Sequence, residues 1–208
     1  MRKNVAWGAA AAGGVLVGLG IVYVLREKST PEPEHRVLAS EREFEIRSYP
    51  AITVAETVVH GPRKDALNEG YRILSDYLTA KSRPGEKLPM RVPVFQDAGN
   101  PMASDPPLFD DELGESGWRV RLTLPQDREL PEPPDEVTLV EIPARRVGAV
   151  RFSGTACDER LAAHEDALRG WLARHGEECS KAEPEYAFYN SPMIPPMLRR
   201  VEVLLPLG

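Results

Sequence analysis

The sequence predicts an α+β protein in two repeated halves. Its antiparallel sheet has pseudo-twofold symmetry and curls into a barrel-like body with two helices, preceded by an N-terminal transmembrane helix. Three observations carry this. Pro50-Ala51, Val54, Gly61 and Asp65 recur 93 residues on as Pro143-Ala144, Val147, Gly154 and Asp158. Strict alternation, as in Trp118, Val120, Leu122 and Leu124 against Arg119, Arg121 and Thr123, marks antiparallel strands. Val5 to Leu25 contains no charged residue. Two copies with so long a period exclude a solenoid and predict halves that complete one another's core, with a ligand cleft between or beside them.

Residues 1–4 form a short basic N-terminus, with Arg2 and Lys3. Residues 5–25 are the predicted transmembrane anchor; as a helix they span roughly 32 Å, close to the hydrocarbon core of a bilayer. Trp7 and Tyr23 lie near its ends, where amphipathic aromatics favour the membrane interface. The exit Val22-Tyr23-Val24-Leu25 lacks a small-residue cleavage site, which favours an uncleaved anchor over a signal peptide. The positive-inside rule favours a single-pass topology with the soluble domain outside, in the periplasm of a bacterium. Residues 26–36, containing Glu27, Lys28, Pro31 and Pro33, read as a linker, and the domain occupies 37–208.

Within the domain, Phe44 and Ile46 alternate with charged residues as a half-buried strand, and a turn at Tyr49-Pro50 leads to a second strand from Ile52 to Val59. Gly61-Pro62 punctuates, and Asp65 suits the positive end of a helix carrying Leu67, Tyr71, Leu74 and Leu78 on one face. Leu88 to Phe95 reads as an irregular strand because Pro89 and Pro93 cannot donate to a ladder. Asn100 to Gly117 is a long acidic, proline-containing loop before the strand at Trp118 to Leu124. The second copy has strands at Val137 to Ile142 and Arg146 to Phe152, then a helix from Asp158 to about His175 with Gly176 at its end. Tyr186 to Tyr189 and Val201 to Leu205 supply the last strands, for roughly eight strands and two helices.

The net charge of −6, without a basic stripe, argues against a nucleic-acid partner. Cys157 and Cys179 flank the second helix, roughly 30 Å apart and beyond disulfide reach, so both read as unpaired thiols. No catalytic constellation emerges: a nucleophile elbow, a zinc-binding His pair, a P-loop and a dinucleotide fingerprint are all missing, and no metal site is expected. The acids Asp110, Asp111, Glu112 and Glu115 lack calcium-loop spacing and read as a solvated loop.

Three segments resemble one known family. Glu43 to Val59 reads EFEIRSYPAITVAETVV and is followed by a helix ending ILSDYLTAK. Glu86 to Phe95, EKLPMRVPVF, is similar to the family's Lys-Ile-x-Met-Thr-x-Pro-Val strand. Tyr189 to Leu207, YNSPMIPPMLRRVEVLLPL, is similar to its Tyr-Asn/Asp-x-Pro…Arg-Arg-Asn-Glu-Val ending. Together they resemble the SOUL haem-binding protein family across the soluble part of the chain. The resemblance implies a distorted antiparallel barrel with two flanking helices, built from a duplicated β-α-β unit. It also implies haem or another tetrapyrrole in an apolar groove beside the first helix. Here that groove involves Leu67, Tyr71 and Leu74, with Met193, Ile194 and Met197 as a lid or as a cap on the barrel.

Departures from the family pattern bear on the ligand. The place of a His in some animal members is Ser48, and basic positions of the first helix are Asn68 and Asp76. Arg63, Lys64 and Arg72 remain nearby, Arg72 being the best anchor for a propionate. His60 closes the second strand next to the groove and is the candidate axial ligand, a surface turn histidine being the alternative. The function expected is a non-enzymatic, membrane-tethered haem or tetrapyrrole carrier, buffer or sensor. The alternatives are a small-amphiphile module resembling effector domains of bacterial multidrug-type regulators, with Glu56 or Asp76 facing the groove, and a non-enzymatic interaction protein.

Overall fold

The computed structural model describes residues 30–98, 109–110, 115–179 and 183–208. The chain divides into two compact units, Met1–Pro31 and Glu32–Gly208, and the second holds every element described below. The predicted anchor, residues 5–25, lies outside the described residues. Among those described, no helix is long and apolar enough to cross a membrane.

In chain order the elements are β1 (Arg36–Glu41), β2 (Phe44–Tyr49), β3 (Ile52–His60), α1 (Arg63–Leu78), β4 (Val94–Asp97), β5 (Phe109–Asp110) and β6 (Glu115–Thr123). The second half adds β7 (Thr138–Ile142), β8 (Arg145–Ser153), α2 (Asp158–Arg174), β9 (Glu185–Phe188), a 3-10 turn at Pro196–Leu198 and β10 (Arg200–Leu207). One antiparallel sheet runs β1-β2-β8-β10-β9-β4-β6-β3-β7, with β5 paired to β6 off this path.

From β2 to β7 that order is a palindrome. Exchanging β2 with β7, β3 with β8, β4 with β9 and β6 with β10 reproduces it in reverse, so a pseudo-twofold axis passes between β4 and β9. The register obeys the same 93-residue offset. Tyr49 pairs with Arg145 where Ile142 pairs with Ile52, and Ile46 pairs with Gly148 where Leu139 pairs with Ala55. The repeat seen in the sequence is therefore an exchange of strands: each half lends its first strand to the other half's second.

The expected barrel does not close. β1 pairs only with β2 and β7 only with β3, which leaves two free edges. The register slips between Val37 and Ala39, and such a bulge bends an edge strand away from further pairing. β1 is almost wholly exposed and ends in Glu41, a typical way to blunt an edge. β1 was not foreseen because Val37-Leu38-Ala39 does not alternate. Only the last part of the Leu88 to Phe95 segment joins the sheet, as β4, where Pro89 and Pro93 no longer intervene.

Both helices lie on one face of the sheet. Leu74, Tyr77 and Leu78 of α1 meet Ala55, Val120 and Leu122, while Leu161, Leu168, Trp171 and Leu172 of α2 meet Val150, Val203 and Leu205. One glycine permits each close approach. A Cβ at Gly70 of α1 would stand 2.6 Å from Val120 Cγ2, and one at Gly148 of β8 would stand 2.6 Å from Leu172 Cδ1. One half thins its helix and the other its strand. Cys157 and Cys179 are free thiols at either end of α2.

Candidate functional site

The residues expected to form the groove do not converge. Leu67 packs at the margin of the α1 core, Leu74 is wholly buried within it, and Tyr71 is 42% exposed. Arg72 is a residue further round the helix, on the flank away from Leu67. It donates to Glu69 at 2.6 and 2.9 Å and lies 3.4 Å from Asp76. Asp76 also pairs with Lys81 at 3.2 Å.

His60 ends β3 and is exposed. Alternation along β3 aligns it with Glu56 and Val58, on the face opposite the one that α1 covers through Ala55. Ser48 lies in β2 between Arg36 and Arg146, on the same face as Ile46 and thus on the α2 side. The place of the family's His and the flank of α1 are therefore in different halves of the molecule.

The turn at Pro196–Leu198 packs on β8. Met193 and Met197 are 81% and 77% exposed, whereas Ile194 is buried. Arg199 holds this segment from below, donating from Nε to the Ile194 carbonyl at 2.7 Å and from Nη2 to the Pro192 carbonyl at 2.8 Å. The prolines and this clamp present two methionines on a stiff frame.

The face without helices carries what the sequence reading missed. Its centre is apolar, built from Tyr49, Phe95, Val147, Ala187, Tyr189 and Leu204. Two ionic clusters flank it. In one, Glu185 Oε1 accepts from Arg121 Nη1 at 2.8 Å and its Oε2 from Arg145 Nη2 at 2.5 Å. Arg121 also meets Glu56 at 2.7 Å, and Arg119 meets Asp97 at 2.7 Å. In the other, Glu202 takes a two-pronged bond from Arg47 at 2.7 and 3.1 Å, with further donors from Tyr189 and Arg200. Asp97, Glu185 and Glu202 have no exposed surface. Glu56 belongs to this face and points away from α1.

Burial works to raise Glu185 and Glu202, but the guanidiniums of Arg145 and Arg121 on the first, and of Arg47 on the second, outweigh it and hold both below the usual range. Asp97 goes the other way. Burial pushes its carboxyl up to about 7 against the pull of Arg121 and Arg119, and neighbouring Glu185 adds to the rise. Its Oδ2 lies 3.1 Å from Arg121 Nη2 without hydrogen-bond geometry, so Arg121 opposes the rise through its charge alone. A raised acid stabilises the fold below its ordinary value and loses that contribution as pH rises through about 7. Stability is thus expected to climb by up to about 1.4 kcal/mol per pH unit as pH falls from near neutral towards 5. It should fall again once Glu185 and Glu202 protonate, below roughly their unfolded values. Urea unfolding from pH 4 to 8 checks this: Asp97→Asn should abolish the climb, and a flat profile in the unaltered protein would show Asp97 ionised.

A cavity of about 490 Å³ opens at the C-terminal end of α1. One wall is the loop from Arg83 to Leu88, the other the loop from Arg128 to Glu132. The walls are pinned: Tyr77 donates its hydroxyl to the Pro131 carbonyl at 2.8 Å, and the Leu88 amide bonds Leu78 O at 2.7 Å. Its volume falls within the usual range for small-molecule sites. Among the described residues, no cluster of three or more His, Cys, Asp or Glu side chains is arranged to hold a metal ion.

The sequence model described as SOUL heme-binding protein matches residues 30–206. No curated protein matches the chain in sequence. Among solved structures, the C-terminal domain of EcmrR superposes with a TM-score of 0.56 at 13% identity, covering 79% of this chain and 96% of that one. A crystal structure described as a hydrolase from Listeria innocua superposes at 0.54 with 14% identity, covering 82% and 94%. An uncharacterized conserved protein from Listeria innocua gives 0.54 at 13%, with the same coverage of 82% and 94%. At such identities these likenesses concern the fold alone.

Proposed function

The chain belongs to the SOUL haem-binding family, and from that premise we propose that it binds haem or a related tetrapyrrole as a carrier, buffer or sensor, without transforming it. The family match over residues 30–206 carries this reading, since it spans the sheet and both helices. The structure adds a cavity of suitable size beside the end of the first helix. Titration of the purified full chain with haem is expected to give a saturable Soret shift at micromolar haem. Absence of saturation would remove the reading. In parallel, Ser48→His reports whether a ligand on the α2 side reaches iron: a further spectral change places the iron there, and an unchanged spectrum places it elsewhere.

The uncharged stretch from Val5 to Leu25 supports tethering of this binding protein to a membrane, with its domain outside the cytoplasm. The full chain should stay with membranes through an alkaline carbonate wash. Release into the wash would sink the tether and leave the binding function standing.

A further inference from the structure

We infer that the cavity at the C-terminal end of α1 takes a carboxylate-bearing, largely apolar ligand, with Arg83 as the group that receives the carboxylate. Resting on the tetrapyrrole reading above, this makes Arg83 and the two loops around it the propionate end of the binding site.

The charges of the cavity decide the sign. Arg128 and Lys87 on its rim are exposed, and so are Glu86, Glu129 and Glu132, so solvent screens these charges of both signs. Arg83 is the exception: it retains only 9% of its exposure and is the buried charge in the wall. A buried charge needs a counter-charge or a full set of hydrogen bonds. Arg83 has neither. Its Nη1 donates to the Pro84 carbonyl and its Nη2 to the Glu86 carbonyl, each at 2.9 Å. Its Nε has no acceptor, and no carboxylate of the described residues forms an ion pair with it. Of the five N–H groups that a guanidinium carries, two are used.

The side chain is nevertheless held in place. Its guanidinium carbon sits 5.0 Å from the centre of the Tyr77 ring, and Tyr77 is itself tied to Pro131 across the cavity. A fixed, under-used guanidinium is pre-organised for a carboxylate. Leu88, Leu130 and Pro131 provide the apolar surface alongside it, and Leu88 and Leu130 continue into the α1 core. A molecule with an apolar flank and a carboxylate at its edge matches this pairing of a narrow apolar strip with one buried cation.

The test uses metal-free protoporphyrin IX and its dimethyl ester, followed by fluorescence, with the full chain. The acid is expected to bind saturably and the ester at least tenfold more weakly, a comparison that leaves the protein unaltered. Arg83→Gln should weaken the acid at least tenfold and leave the ester unchanged. Arg83→Lys, which keeps the charge but loses the planar fork, should weaken the acid by a smaller factor and leave the ester unchanged, which keeps the test alive if Arg83→Gln does not fold. Equal affinity for acid and ester, or acid binding untouched by both variants, overturns the assignment of this cavity and leaves tetrapyrrole binding intact. No binding of either porphyrin, together with no Soret shift for haem, overturns the functional reading itself.

Discussion

Glu185→Ala is expected to destabilise the protein by about 3–5 kcal/mol, the range typical of breaking a buried ion pair from one side. Glu185 has no exposed surface, and each of its oxygens receives a guanidinium, from Arg121 at 2.8 Å and from Arg145 at 2.5 Å. After the substitution Arg121 still has Glu56 and Asp97, at 2.7 and 3.1 Å. Arg145 has no other ion pair among the described residues, so its buried charge is left uncompensated. Urea unfolding at pH 7 measures the loss, and a change below about 1 kcal/mol would show that water or relaxation replaces the carboxylate. Pairing Glu185→Leu with Arg145→Met should recover most of the stability, because replacing both charges by apolar groups is often neutral. The experiment separates the worth of the pair from the penalty of breaking it.

Trp171→Ala is expected to cost about 3–5 kcal/mol, the usual range for emptying a large aromatic site. Trp171 is 1% exposed at the centre of the α2 core and stacks on Phe44 of β2, with ring centres 5.5 Å apart. Its Nε1 donates to Glu41 Oε2 at 2.7 Å, which fastens the end of the edge strand β1 to the helix. Two consequences distinguish this site from a generic core position. Trp171→Phe should keep most of the packing and lose mainly the indole donor, a loss of about 1 kcal/mol. Both variants should speed hydrogen exchange in β1 more than in β7, since Trp171 binds Glu41 at the end of β1 whereas β7 pairs with β3 at the opposite edge. Equal exchange in the two edges would refute the fastening role.

The elements that were legible in the sequence are those with a local cause. α1 and α2 begin after Pro62 and Cys157, with acids in their first turns, and end close to where their apolar spacing stops. The strand through Trp118 to Thr123 declared itself by alternation. The same alternation misled about what its polar face does. Arg119, Arg121 and Thr123 have the pattern of a solvated face, yet all three are buried. Their acid partners Asp97 and Glu185 come from β4 and β9, and no window along the chain contains both sides of these pairs. Where the candidate residues stand in the fold was hidden for a related reason. Helical spacing put Leu67, Tyr71 and Leu74 on one stripe, but it says nothing about which strands lie opposite. It therefore missed that His60 points to the far face and that Ser48 belongs to the other half. Arg83 carried no signal at all: a loop arginine beside proline and glycine is ordinary until the fold buries it.

By itself the sequence determined the duplication, the two helices, most strands, the family, and the 93-residue offset that the strand register obeys. These follow from short-range periodicity and from self-similarity, which are properties of the chain read in order. Only the tertiary structure decided that the halves exchange strands, that the sheet stays open at β1 and β7, and that its second face encloses charges. It also decided that Arg83 faces a cavity without a counter-ion. Edge pairing, desolvation and charge compensation depend on which distant segments meet, and in a sheet whose neighbours come from opposite halves that information exists only once the chain has folded.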